Sequence, residues 1–204
     1  MDAIERTMRT YDQIAEEYCR KTERQGDREF QEKMLDRTLS FLPPSPRIID
    51  LGCGDGRDTQ YLQEKGADVV GIDISRGMID LARKKYTECA FLRSDMRDTV
   101  FPNDTFQGAW ASTSLSNIPK SEVSRVEKEV YRILEQGSIF CFSFKVGEKE
   151  GFEESIVEGF ETYQSYYTLE ELKRELNLFD VIDSREYPEE IFNNSFMYCW
   201  ARAK

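Results

Sequence analysis

The chain has 204 residues, a net charge of −11 and no strong basic run, so a phosphate-binding face for nucleic acid is not expected. It has no histidine, which excludes imidazole both as a general base and as a metal ligand, and we expect no metal site. Its five cysteines are scattered without a C-x-x-C pair, a pattern that fits neither a zinc site nor a disulfide framework.

The length predicts a single domain over residues 1–204. The first residues are charged and lack the apolar core of a signal peptide, and no apolar run is long enough to span a bilayer. Unpaired thiols are typical of a reducing compartment. We therefore expect a cytoplasmic protein without a membrane partner, either a monomer or a homodimer.

The first segment, residues 1–29, is charged and predicts a helical arm. Tyr11, Ile14, Ala15 and Tyr18 are spaced three and four residues apart, which places them on one face of a helix. Two interpretations remain open for this face. It packs against the body of the domain, or it covers a bound ligand.

A strand–loop–helix unit follows at residues 48–58. An apolar run predicts a short buried strand, and three glycines then stand at alternate positions, Gly52, Gly54 and Gly56. Glycine leaves no Cβ between the backbone and a ligand, and the free N–H groups of the following helix point back at the loop. This unit predicts a ligand held against bare backbone.

The spacing of the loop decides between ligands. A dinucleotide fingerprint needs G-x-G-x-x-G, but Arg57 stands where its third glycine would be, and no Lys-Ser/Thr pair completes a P-loop. Asp50, just ahead of the glycines, would repel a pyrophosphate and attract an ammonium or a sulfonium. The pattern D-x-G-x-G-x-G resembles motif I of the class I S-adenosylmethionine (SAM)-dependent methyltransferases, close to the type 11 small-molecule enzymes.

This resemblance implies a Rossmann-like α/β fold. Its sheet has seven strands and is mainly parallel, with helices on both faces, an antiparallel last strand and an N-terminal helical arm. The alternation of strands and helices along the chain predicts a mainly parallel sheet independently. The resemblance also implies SAM as the cofactor and S-adenosyl-L-homocysteine (SAH) as its product. The Y-D-x-x-A-x-x-Y stretch at residues 11–18 resembles the family's arm that closes over both ligands.

Two further acids follow predicted strands. Asp73 ends the second strand about twenty residues past the loop, where a carboxylate accepts the ribose hydroxyls. Asp95 ends the third, and the resemblance implies that it binds adenine, although a turn or cap role stays open. The predicted cofactor site comprises Tyr11, Tyr18, Asp50, Gly52, Cys53, Gly54, Gly56, Asp73, Ile74, Met78, Asp95, Met96 and Ser112.

The fourth strand leads to residues 113–119, which resemble motif IV of the type 11 methyltransferases with two departures. Gln107 replaces the usual acid, and Asn117 stands where the family often has histidine. Asparagine can hydrogen-bond a substrate but cannot take its proton. The stretch also lacks the N/D-P-P-Y type of motif that accompanies methylation of amino groups in nucleic acids.

Lys145 ends the fifth predicted strand. Two interpretations remain open for its side chain: it is solvated at the strand end, or it contacts the substrate. Residues 146–167 then break the periodicity with glycines, acids and aromatics, which predicts an ordered, lid-like insertion. Within it, Tyr166 and Tyr167 contact substrate or pack in the core. The predicted substrate-side residues are therefore Asn117, Lys145, Tyr166 and Tyr167.

These observations predict methyl transfer from SAM to an oxygen, nitrogen or sulfur of a small molecule. The reaction would depend mainly on alignment and proceed without a histidine base. Two alternatives stay open. One is a SAM-binding or protein-interaction module that keeps the fold without catalysis, and the other is an NAD-binding oxidoreductase, which Arg57 disfavours.

Overall fold

The computed structural model describes residues 2–25, 28–187 and 195–204. Its helices are α1 (Ala3–Gln25), α2 (Arg28–Leu39), α3 (Arg57–Glu64), α4 (Arg76–Lys85), α5 (Val123–Ile133) and α6 (Leu169–Glu175). Its strands are β1 (Arg47–Leu51), β2 (Asp68–Asp73), β3 (Ala90–Arg93), β4 (Phe106–Ala111), β5 (Leu134–Val146), β6 (Glu150–Glu154), β7 (Glu161–Tyr167), β8 (Phe179–Tyr187) and β9 (Phe196–Ala203). None of the helices in these described residues is long and apolar enough to cross a membrane. Pro188, Glu189, Asn193 and Asn194, whose residue types predict a turn, lie outside the described residues.

The main sheet has the order β3-β2-β1-β4-β5-β9-β8, with parallel pairing from β3 to β5. The last strand, β9, runs antiparallel to both β5 and β8. The central strands are apolar along their length because both faces are covered, and Ile49, Phe140 and Trp110 are fully buried. The predicted Rossmann-like fold, with its antiparallel last strand, is confirmed.

The insertion at residues 146–167 adds two strands that the sequence did not predict. Strands β6 and β7 form an antiparallel hairpin, and β7 also pairs in parallel with the carboxyl end of β5, through Lys145 opposite Tyr166. The sheet therefore has nine strands rather than seven. The hairpin lies at the edge of the sheet where parallel α/β folds bind ligands.

The arm helix α1 lies across this edge and is attached both to α4 and to the β6–β7 hairpin. The Oδ1 atom of Asp12 accepts hydrogen bonds from Ser75 Oγ (2.7 Å) and from the Gly77 amide (3.0 Å), which joins α1 to the start of α4. A Cβ at Gly77 would lie 2.8 Å from the Asp12 carbonyl oxygen, so this close approach needs glycine. On the other side, Thr7 Oγ1 accepts from the Tyr163 amide of β7 at 2.9 Å.

Candidate functional site

A cavity of about 1240 Å³ lies between α1, the carboxyl ends of the parallel strands and the β6–β7 hairpin. Its walls include the glycine loop, the end of β2, the segment after β4 and both tyrosines of the arm. A single ligand of ordinary size occupies roughly 300–1,000 Å³, so this cavity has room for a nucleoside donor and a small acceptor together. Both interpretations of the arm find support. Ile14 and Ala15 are buried against the domain, whereas Tyr11 and Tyr18 line the cavity.

The glycine loop lines the cavity with backbone. Gly52 has a φ of 74°, and a Cβ there would lie 2.4 Å from Ser114 Cβ, so no larger residue fits. Gly54 has a φ of 55°, but a Cβ there would meet nothing within 4 Å, because this part of the loop faces open space. Hydrogen bonds from the amides of Gly52 (2.7 Å) and Cys53 (2.9 Å) to the Ile72 carbonyl fix the loop to β2.

Asp73 lies beside this loop at the end of β2. Its Oδ2 accepts from the Gly54 amide at 3.0 Å, and its Oδ1 accepts from the Ser75 amide at 2.8 Å. Burial raises the pKa of Asp73 to about 6, although both backbone hydrogen bonds stabilise the charged form. The carboxylate is thus held in one orientation at the cavity wall.

Asp50 is buried under the loop, where its Oδ2 accepts from Thr59 Oγ1 at 2.6 Å. Burial, and then the charge of Asp58, raise the pKa of Asp50 well above its usual value. Asp58 itself accepts from Trp110 Nε1 at 3.0 Å and from Arg28 Nη1 at 2.9 Å. A cationic ligand would relieve this concentration of acidic groups at the cavity wall.

Sequence reasoning missed the network that surrounds Asp58. Gln31 Nε2 donates to Asp58 Oδ2 at 2.7 Å and to Ser112 Oγ at 2.9 Å, and Tyr198 Oη lies 3.1 Å from the same Ser112 hydroxyl. Gln31, Asp58 and Tyr198 all line the cavity. They belong to α2, α3 and β9, so no local pattern in the sequence indicates that they meet.

Asp95 also lines the cavity, but its carboxylate is already engaged. The Arg97 amide donates to Oδ1 at 2.9 Å, and the Arg97 guanidinium donates to Oδ2 at 2.7 Å. Burial favours the neutral acid, but the Arg97 hydrogen bonds and charge outweigh it and hold the pKa of Asp95 below its usual value. The turn role is therefore present in the structure, while the adenine role stays a prediction.

The other predicted cofactor residues lie in the same cavity, with one exception. Tyr11 and Tyr18 contact each other edge to face, with ring centroids 5.1 Å apart. Gly56 is outside the lining and packs against the ring of Phe91, where a Cβ would lie 2.4 Å away. The cavity brings together Tyr11, Tyr18, Asp50, Gly52, Cys53, Gly54, Asp73, Ile74, Met78, Asp95, Met96 and Ser112.

On the substrate side, Asn117 and Lys145 line the cavity. Asn117 Oδ1 accepts from Gln164 Nε2 at 3.1 Å and from Tyr11 Oη at 3.4 Å. The Lys145 ammonium lies 3.9 Å from Glu153 Oε2. Burial lowers the pKa of Lys145, and the Glu153 charge opposes that shift.

Tyr166 and Tyr167 lie outside the cavity lining, contrary to the predicted substrate contact. Tyr167 is buried and packs edge to face on Phe144, because its side chain points to the core face of β7. The Tyr166 hydroxyl donates to Glu153 at 2.7 Å instead. Gln164, from the same strand, lines the cavity instead of the two tyrosines, and the aromatic pattern of the sequence did not indicate it.

Residues 48–137 match a protein family described as a methyltransferase domain. The match covers less than half of the chain, so it shows a methyltransferase domain in this part alone. The matched residues run from β1 into β5 and include the glycine loop, Asp73, Asp95 and Asn117. Outside the match lie the arm, α2 with Gln31, the end of β5 with Lys145, the β6–β7 hairpin and β9 with Tyr198.

Two curated relatives match part of this chain. The putative methyltransferase YqeM of Bacillus subtilis is 34% identical over 116 residues, which are 52% of this chain and 47% of that protein. The 18S rRNA (guanine-N(7))-methyltransferase of Mus musculus is 40% identical over 86 residues, 39% of this chain and 30% of that protein. This chain spans about half, or less, of the length of the curated relatives it matches.

A solved structure extends the similarity to nearly the whole chain. It is the 1,6-didemethyltoxoflavin-N1-methyltransferase of Burkholderia thailandensis, crystallised with 1,6-didemethyltoxoflavin and SAH. The TM-score is 0.68 at 18% identity, and the match covers 94% of this chain and 87% of that one. The similarity in fold thus extends well beyond residues 48–137.

Proposed function

We propose that this chain transfers the methyl group of SAM to an oxygen, nitrogen or sulfur atom of a small molecule. The observation that carries the proposal is the continuity of the cavity. One cavity joins the glycine loop and Asp73 to Asn117 and Lys145, so a donor and an acceptor have room to meet.

The residues of the donor half suit a positively charged nucleoside. Asp73 is oriented by two backbone amides and has lone pairs left for ribose hydroxyls. Asp50 and Asp58 suit the ammonium group, and Asp95 with the Met96 amide suits adenine. The open space in front of Gly54 receives the methionine part. SAM, when bound, supplies an electrophilic methyl on a sulfonium that leaves as a neutral thioether.

The protein's contribution is alignment and exclusion of water. Holding two reactants in line at near-attack distance can supply several kcal/mol or more of rate acceleration. Tyr11 and Tyr18 cover the cavity from the arm, and Gln164 covers it from the hairpin. No protein base is needed where the acceptor is already a nucleophile, such as a thiolate, a phenolate or a neutral amine.

A small acceptor is favoured over a nucleic acid. Apart from Arg28, Arg57 and Lys145, the charged residues of the cavity wall are acidic, and the net charge of the chain is −11. The Burkholderia enzyme was crystallised with a small molecule, whereas the Mus musculus relative is named for rRNA. We place the reaction in the cytoplasm because all five cysteines are free.

Calorimetry with SAH, SAM and NAD tests the donor. We expect SAH and SAM to bind and NAD to leave no signal, and a preference for NAD would refute the proposal. Turnover of methyl-labelled SAM with thiols, amines and phenols then tests transfer. SAM binding without transfer to any of them would favour the non-catalytic alternative.

A further inference from the structure

Ser116 carries a hydroxyl that the fold does not use. The residue is 1% exposed and lines the cavity, yet its Oγ has no hydrogen-bond partner within the described residues. Buried polar atoms nearly always have a partner, so an unpaired one beside a cavity needs an explanation. A ligand in the cavity would supply the missing partner.

Asn117, the next residue, presents its amide to the cavity in a defined orientation. Its Oδ1 accepts from both Gln164 and Tyr11, and Gln164 Nε2 is itself held by Thr162 Oγ1 at 2.9 Å. With the oxygen occupied, the Nδ2 group is the half of the amide left for a ligand, and it only donates. No hydrogen bond between described residues uses Nδ2.

Lys145 adds a third donor. It lines the same cavity, its side chain is 18% exposed, and its nearest carboxylate oxygen is 3.9 Å away, beyond hydrogen-bond distance. Glu153 is itself engaged by Lys149 and by the Tyr166 hydroxyl, so its charge is shared among three groups. The Lys145 ammonium therefore has donors to spare for an anion.

We propose that Ser116, Asn117 and Lys145 form a subsite that binds a carboxylate on the methyl acceptor. The inference rests on the proposed function and narrows its substrate to small carboxylate-bearing amines, thiols or phenols. The two donors from neighbouring residues and the ammonium across the cavity suit the two oxygens of one carboxylate. Ser116 and Asn117 are specificity-determining residues in this arrangement.

The test uses the full chain saturated with SAH and three probes that share an aniline nitrogen. Aniline has no oxygen, 2-aminobenzoate has a carboxylate, and 2-aminobenzamide has an uncharged carbonyl. We expect 2-aminobenzoate to bind at least tenfold more tightly than aniline by calorimetry, with 2-aminobenzamide between them. Equal affinities for 2-aminobenzoate and aniline would overturn the proposed subsite, and so would a failure of both compounds to bind.

Three variants then assign the preference to residues. Lys145→Met and Ser116→Ala should each lower the affinity for 2-aminobenzoate fivefold or more and leave that for aniline unchanged. The control Ser124→Ala, on the exposed face of α5, should change neither. A preference that survives both Lys145→Met and Ser116→Ala would contradict the assignment.

Two measurements separate a failure of the proposed function from a failure of the proposed subsite. Loss of SAH binding by the wild type would refute the proposed function, whereas SAH binding without a carboxylate preference would refute the subsite alone. The melting temperature of Ser116→Ala tests a merely structural role. We expect it to stay within 1 °C of the wild type or to rise, because the hydroxyl has no partner to lose, and a clear fall would argue against a ligand-binding role.

Discussion

The two halves of the cavity are built in different ways. The donor half consists of backbone and of carboxylates at neighbouring strand ends, joined by contacts of 2.6–3.0 Å such as Thr59–Asp50 and Gly54–Asp73. The acceptor half joins three distant segments through longer contacts, such as Tyr11–Asn117 at 3.4 Å and Lys145–Glu153 at 3.9 Å. Short, local contacts make a preformed site, whereas the longer ones leave polar groups available to a ligand.

The largest effect that this comparison predicts concerns Asp73. Asp73→Ala removes the carboxylate assigned to the ribose, and because hydrogen bonds to charged groups contribute about 1.5–3 kcal/mol each, we expect SAH affinity to fall about a hundredfold or more. Calorimetry measures it. Asp68→Ala, at the exposed start of the same strand, is the matched control and should bind SAH normally. Undiminished binding by Asp73→Ala would remove the basis for the donor assignment.

The glycine loop provides a pair of variants that separates packing from backbone strain. Both glycines have positive φ, which costs a larger residue about 1–2 kcal/mol, but only at Gly52 would a Cβ also meet Ser114, at 2.4 Å. We expect Gly52→Ala to lower the free energy of unfolding by about 3 kcal/mol or more and Gly54→Ala by about 1 kcal/mol. Urea unfolding measures both, and equal losses would contradict the packing difference.

The pH dependence of stability sharpens the description of Asp73. Its pKa rises from 3.8 to about 6 on folding, so the folded protein binds this proton more tightly and wild-type stability falls as the pH rises through this range. At about 1.4 kcal/mol per pKa unit, ionisation of Asp73 lowers the free energy of unfolding by about 3 kcal/mol above pH 7. A variant that cannot ionise avoids this loss, but it gives up a hydrogen bond that contributes about 1 kcal/mol.

Asp73→Asn should therefore be about 2 kcal/mol more stable than the wild type at pH 8, while binding SAH weakly. This advantage should shrink by about 1 kcal/mol or more at pH 5, where the wild-type carboxyl is mostly protonated. Urea unfolding at the two pH values measures the difference. A constant advantage would mean that another group titrates.

The smallest effect concerns the attachment of the arm. Asp12→Ala removes the acceptor of two hydrogen bonds from the start of α4, worth about 1 kcal/mol in total after solvent exchange, so we expect SAH affinity to fall five- to tenfold. Stopped-flow dissociation should show most of the loss in a faster off-rate. Gln13→Ala, at an exposed position on the same helix, is the control. Unchanged dissociation in Asp12→Ala would show that the arm does not retain the donor.

Sequence reasoning succeeded where the relevant contacts are local. The mainly parallel sheet follows from strand alternation, and the loop around Gly52 and Gly54 follows from residues within one strand–loop–helix unit. The family resemblance supplied the antiparallel last strand. It failed for the β6–β7 hairpin, because a strand formed at a sheet edge depends on which strand it pairs with. For Tyr167 the sequence left substrate contact and core packing open, because the register of β7 decides which side chains face the core.

By itself, the sequence determined a strand, a bare-backbone turn and carboxylates at strand ends, and it predicted a site for a positively charged nucleoside there. These features are set by residues close together in the chain, where glycine spacing and strand period limit the possible geometries. Only the tertiary structure decided which further groups line the cavity. Ser116, Gln164 and Gln31 come from separate segments, and their meeting depends on how the arm, the hairpin and the sheet pack together.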